Sequence, residues 1–128
     1  MKSDVEAISP FVDELMLRIR EHHCDPGTEF PIELALREAL ANAVIHGNRE
    51  DTQKKVHVRC ECSQESGVFL VVRDEGTGFN PGEVPDPLAP ENLAAEHGRG
   101  ILLMKQFMDD IHYERGGTEV HMRKRPSA

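Results

Sequence analysis

A chain of 128 residues with 38% hydrophobic and 30% charged residues has the size and composition of one soluble globular domain, and no apolar run approaches the roughly 18 residues that span a bilayer. A formal net charge of −8, with Lys and Arg scattered apart from "RKR" at 123–125, argues against a nucleic-acid backbone as direct partner. The acidic start, "MKSDVEAISPFVDELM", does not fit a secretory leader, and three cysteines (Cys24, Cys60, Cys62) without framework spacing favour reduced thiols in a cytoplasm.

The first element in chain order is an amphipathic helix over 8–23, where Phe11 or Val12, Leu15 and Ile19 recur at helical spacing. "CDPGT" breaks it, and "HHC" at 22–24 lacks the second ligand pair of a metal site, so it reads as a solvated helix end. A second helix begins between Thr28 and Ile32, with Pro31 in its first turn, and ends at Gly47. At about 100° per residue its buried face is Ile32, Ala35, Leu36, Ala39, Leu40 and Ala43.

Alternation then replaces helical spacing. "VHVRCEC" (56–62) is a half-buried strand, "SQESG" a turn and "VFLVVRD" (68–74) a second strand, together an antiparallel hairpin. Residues 80–97, rich in Gly and Pro, form a long connection of a length usually reserved for function. "RGILLMKQFMDDI" returns to helical spacing after Gly98, and the strands "DIHYER" and "TEVHMRK" close the chain around Gly116 and Gly117. Hairpin strands with helices between them predict one α+β domain over 1–128, a two-layer sandwich of a mainly antiparallel sheet with helices on one face. Neither phosphate loop of the two commonest nucleotide folds is present.

Four stretches carry possible chemistry. Glu38, Asn42 and His46 follow one another at i, i+4 along the flank of the second helix's buried face. They form either a solvated stripe or a working edge, on which Glu38 accepts a proton and Asn42 offers a neutral oxygen to Mg²⁺. "DEGTGF" (74–79) is either a plain turn or a carboxylate, Asp74, placed to accept from a ring amine, with Gly76 and Gly78 permitting close approach. "HGRG" (97–100) is either a loop-to-helix junction or an anion site of free helix amides with Arg99 beside them. In "GGT" (116–118) Thr118 reads in isolation as a strand residue after a tight turn.

In this order the stretches resemble the ATP-binding superfamily of gyrase, heat-shock chaperone, histidine kinase and mismatch-repair ATPases, and within it the small anti-sigma factor serine/threonine kinases. The resemblance runs from about Ile32 to Lys124 and implies a Bergerat-type ATP-binding fold. "ELALREALANAVIHGN" resembles the Asn-containing helix box, implying Glu38 as general base and Asn42 as Mg²⁺ ligand. "DEGTGF" resembles the first glycine box, implying Asp74 on the adenine amine above Gly76 and Gly78. "HGRGILLMKQFMD" resembles the second, implying Gly98, Arg99 and Gly100 at the phosphates. "GGTEVHM" resembles the closing element, implying that Thr118 assists adenine recognition, and 80–97 becomes an ATP lid.

The expectation is therefore a cytoplasmic Mg·ATP-dependent protein serine/threonine kinase. It would phosphorylate a serine-bearing antagonist protein and sequester a sigma factor, with no membrane or direct nucleic-acid partner, and the family implies a homodimer. Two departures bear on this. The chain starts almost directly with a helix where relatives often have a strand, and Glu96 stands near a point where some relatives are basic. The alternatives are an ATP- or ADP-sensing partner-binding module of the same fold without phosphotransfer, and an α+β interaction domain that binds no nucleotide.

Overall fold

The computed structural model describes residues 1–23, 29–77 and 104–126. Helix α1 spans Val5–Glu21 and starts three residues earlier than its periodicity predicts. Asp4 is the reason: its side chain accepts from the Glu6 amide at 2.9 Å and caps the first turn. Ile8, Val12, Met16 and Ile19 form its buried stripe, and Phe11 and Leu15 pack beside it, so Val12 is the inner residue of the Phe11/Val12 pair.

Helix α2, Glu29–Asn42, carries Pro31 in its first turn, where a missing amide costs no helical bond. Its predicted face is the observed one: Ile32, Ala35, Leu36, Ala39, Leu40 and Ala43 are all buried. Each of the fully buried Ile32, Leu36 and Leu40 side chains contributes about 1.5–3 kcal/mol. The helix does not stop at Asn42 but widens into a π turn over Ala43–Gly47, with the Asn48 amide donating to the Ala43 carbonyl at 2.8 Å.

Strands β1 (His57–Ser63), β2 (Gly67–Arg73), β3 (Asp110–Glu114) and β4 (Glu119–Lys124) build an antiparallel sheet in the order β1-β2-β4-β3. Alternation sends Val58, Cys60, Cys62, Val68, Leu70, Val72, Ile111, Tyr113, Val120 and Met122 to one face, where they join the helices in a single core. This is the predicted two-layer α+β sandwich. Ahead of α1, Lys2 bridges Lys55, and Met1 and Val56 exchange backbone hydrogen bonds at 2.9 Å, so residues 1–3 run antiparallel to 54–56.

Two expectations are corrected. The third helix was expected to continue through "DDI", but among the described residues it covers only 104–107, and Asp110 and Ile111 belong to β3. The overlap is resolved by the ladder to β4, since Ile111 pairs with Met122 and Asp110 with Arg123. Cys62 is disulfide-bonded rather than reduced, while Cys60 is a free thiol. An odd cysteine count excludes complete pairing but not a single bridge. No helix among the described residues is long and apolar enough to cross a membrane.

Candidate functional site

Two chain ends meet at one edge of the core: the exit of α2 and the exit of β2. Gly47 closes the π turn, and a Cβ built on it would overlap the Asp74 carboxylate. Gly76 stands in the same relation to the Gly47 carbonyl. Neither glycine has a positive φ, so both are required by close approach and not by backbone handedness. The hexapeptide "DEGTGF" is thus packed against the end of "ELALREALANAVIHGN", two stretches that are 27 residues apart from Gly47 to Asp74.

Asp74 is held from three sides. Its amide donates to the Thr118 carbonyl at 2.9 Å, tying it to the turn before β4. Its Oδ1 accepts from the Gly76 amide at 2.8 Å in an Asx turn, and Oδ2 lies toward Gly47. Burial pushes its carboxyl above the usual value, and the Gly76 amide and the Lys54 charge only partly offset this. With Oδ1 committed, Oδ2 is the oxygen able to accept a hydrogen bond from a ligand amine.

Glu38 and Asn42 lie one turn apart on α2, half-buried, with His46 exposed beyond them. Their neighbours on the outer side of the helix are engaged: Arg37 reaches Ser9, Asp13 and Glu33. Glu38 has no hydrogen bond or ion pair among the described residues, and Asn42 makes no side-chain cap bond to the π turn. Among the described residues neither side chain is committed to a structural bond, which leaves both open to a ligand. The Asn42 carboxamide oxygen suits a Mg²⁺ that keeps several waters and takes its other ligands from phosphates.

Thr118 follows the 3₁₀ turn Arg115–Gly117, and its hydroxyl donates to the Arg115 carbonyl at 2.9 Å, leaving acceptor capacity on Oγ1. The structure therefore brings Asp74, Gly76 and Thr118 together. Gly78, Gly98, Arg99, Gly100 and the 80–97 segment lie outside the described residues.

Two residues that frame this site are not singled out by the sequence patterns. One is Gly47, which sequence reading treats only as a helix stop. The other is Asn48, 1% exposed, whose Nδ2 donates to Ser3 Oγ and to the Lys55 carbonyl, both at 3.0 Å. Its Oδ1 accepts from the Glu75 amide at 2.7 Å. Asn48 thereby pins the turn that carries Asp74. Glu75 adds to the clamp from the surface, accepting from the Lys55 amide and meeting His57, and these contacts hold its carboxyl below the ordinary value, His57 first. A polar residue after a glycine stop is the only local signal for Asn48.

Comparison with known proteins identifies the family of the chain. The profile of the histidine kinase-like ATPase domain matches residues 1–124. The anti-sigma F factor of Bacillus licheniformis is 35% identical over 98 residues, which is 73% of this chain and 66% of that protein. That of Priestia megaterium is 33% identical over 98 residues, 73% of this chain and 67% of its own. The anti-sigma F factor of Bacillus thuringiensis matches at 35% over the same length, again covering 66% of the relative. The matched stretch thus spans about two thirds of these relatives.

Proposed function

Because the chain belongs to the histidine kinase-like ATPase domain family, we propose that it is a Mg·ATP-dependent protein serine/threonine kinase acting as an anti-sigma regulatory factor. Its substrate is a serine-bearing antagonist protein and its second partner a sigma factor, a reading supported by the similarity to anti-sigma F factors. One observation carries the chemistry: Glu38 and Asn42, half-buried and without partners among the described residues, lie on the helix whose exit packs on Asp74 through Gly47.

In this mechanism Asp74 Oδ2 accepts from the adenine amine, Gly76 keeps the floor low, and Thr118 supports the ring's edge. Glu38 accepts the proton of the attacking serine hydroxyl. Mg²⁺, held through Asn42, would offset phosphate charge, as would the amides and side chain of Gly98, Arg99 and Gly100. Gly78 belongs to the same adenine floor. We place this chemistry in one domain over 1–128, in the cytoplasm, with no membrane or nucleic-acid partner and with a homodimer as the working state.

A labelled-phosphate assay on a serine-bearing partner tests the reading. Glu38→Ala should abolish transfer while Mg·ATP binding persists. Transfer that survives the substitution removes Glu38 as base, and loss of nucleotide binding makes it structural. Glu96, standing where some relatives are basic, favours a second reading in which the domain senses ATP or ADP and changes partners without transfer. Nucleotide binding with no labelled product from any serine-bearing partner would put that reading first.

A further inference from the structure

The sheet face turned away from the helices carries a separate constellation. In the β3–β4 ladder His112 lies opposite His121 and Glu114 opposite Glu119, and alternation sends all four side chains to this outer face. His121 Nε2 is 2.6 Å from Glu119 Oε1 and 3.4 Å from Glu114 Oε2. His112 Nε2 is 2.9 Å from Glu114 Oε1, and the two imidazoles meet edge to face at 5.4 Å. Ligand atoms of Glu114, Glu119 and His121 all fall within 4.8 Å of one another.

One imidazole nitrogen thus faces two carboxylates, and a neutral ring has a single N–H to offer there. Two carboxylate oxygens and one imidazole nitrogen converge on a space that a cation could occupy. The spacing suits a cation. Bonds of about 2.0–2.1 Å in tetrahedral array separate ligand atoms by roughly 3.3–3.4 Å, so the observed separations need only small rotamer changes. The groups are also held in place: the His121 and Glu119 side chains are 18% and 13% exposed. Arg115 Nε, 3.2 Å from Glu119 Oε2, fixes that carboxylate with Oε1 toward His121, as outer partners of metal ligands do. Phe69 packs against the His121 ring and walls the site on one side.

We propose that Glu114, Glu119 and His121 form a binding site for a borderline divalent cation such as Zn²⁺, with His112 positioned by Glu114 to serve as a fourth ligand. Mixed nitrogen and oxygen donors select Zn²⁺ and its neighbours over Mg²⁺, which favours oxygen and retains its waters. The cluster lies on the outer sheet face, whereas Asp74 faces the helix side through its contact with Gly47.

Zn²⁺ titrated calorimetrically into the full, metal-free chain tests this, with Mg²⁺ as control and thermal unfolding as second readout. One Zn²⁺ should bind and raise the melting temperature. Glu119→Gln, which preserves shape, and His121→Ala should each weaken binding by more than about tenfold, at least the loss usual for an outer-shell partner. The Mg·ATP-induced shift should persist in both. Binding with unchanged affinity in both variants assigns the metal to other donors and overturns the proposal. So does an absence of binding below roughly millimolar Zn²⁺.

Discussion

Gly47 and Asp74 approach so closely that a single added carbon at position 47 would overlap the Asp74 carboxylate. This contact joins the exit of α2 to the turn after β2. Gly47→Ala must displace either Asp74 or the π turn, at a cost of about 1–3 kcal/mol. It should also lower affinity for adenine nucleotide, read by calorimetry. Gly67→Ala is the control. Gly67 has φ +82° and sits against the Lys124 carbonyl, at the other end of β2, so its substitution should destabilise the chain while leaving nucleotide affinity intact. Equal affinity in wild type and Gly47→Ala would show that the contact does not set the site.

Asn48 is a buried side chain whose partners come from three parts of the chain. Its removal in Asn48→Ala leaves the Glu75 amide and the Lys55 carbonyl without this partner, and Ser3, itself buried, loses its donor. The expected loss is about 2–4 kcal/mol in a urea titration. Asn48→Asp keeps the acceptor for Glu75 but places a carboxylate against the Lys55 carbonyl in a buried position. At neutral pH it should be at least as destabilising as alanine, and the difference should narrow as acid protonates the carboxyl. A fully stable Asn48→Asp variant would mean that the clamp tolerates loss of its donor.

These residues show where sequence reading succeeds and where it ends. The buried face from Ile32 to Ala43 is legible because a period of 3.6 repeats over three turns, and the β1–β2 hairpin is legible because alternation flanks a short polar turn. The start of α1 is set by one capping bond from Asp4, and the end of the last helix by pairing of Asp110 and Ile111 with β4. Neither is a matter of periodicity. Asp74 and Gly76 could be singled out as types, but their contact with Gly47 and the Asn48 clamp depend on tertiary approach. Likewise, alternation tells that His121 and Glu119 face outward, while only the register brings Glu114 and His112 beside them.

Cys60 offers a chemical probe of the core. Burial, followed by the Glu61 charge, raises its thiol above the ordinary value, so little thiolate exists at mildly alkaline pH. Iodoacetamide should modify folded Cys60 more slowly than a free cysteine, with the ordinary rate restored in denaturant. Glu61→Gln should accelerate the reaction only slightly, because burial is the larger cause. A strong acceleration would make charge the controlling factor.

Asp74 permits a test in which stability and binding move apart. Burial raises its folded-state carboxyl above the unfolded value, so the folded chain holds that proton more tightly. The linked stability is fully present below the unfolded pKa and is lost as pH rises through the raised folded one. At neutral pH the ionised carboxylate therefore opposes folding. Asp74→Asn removes that charge and retains an oxygen for the Gly76 amide, so it should be at least as stable as wild type at pH 7. Its advantage should shrink as pH falls through the window above 3.8, the ordinary value. Glu75 and Glu114 act with the opposite sign, their depressed carboxyls losing stability as pH falls, but both are present in each protein and cancel in the comparison. Saturating Mg·ATP, at a hundredfold over its dissociation constant, should add about 2.7 kcal/mol to wild type and almost nothing to Asp74→Asn. A variant destabilised at pH 7 would contradict the burial argument, whereas an undiminished nucleotide shift would place adenine recognition elsewhere; because the two readouts have separate causes, either can fail alone.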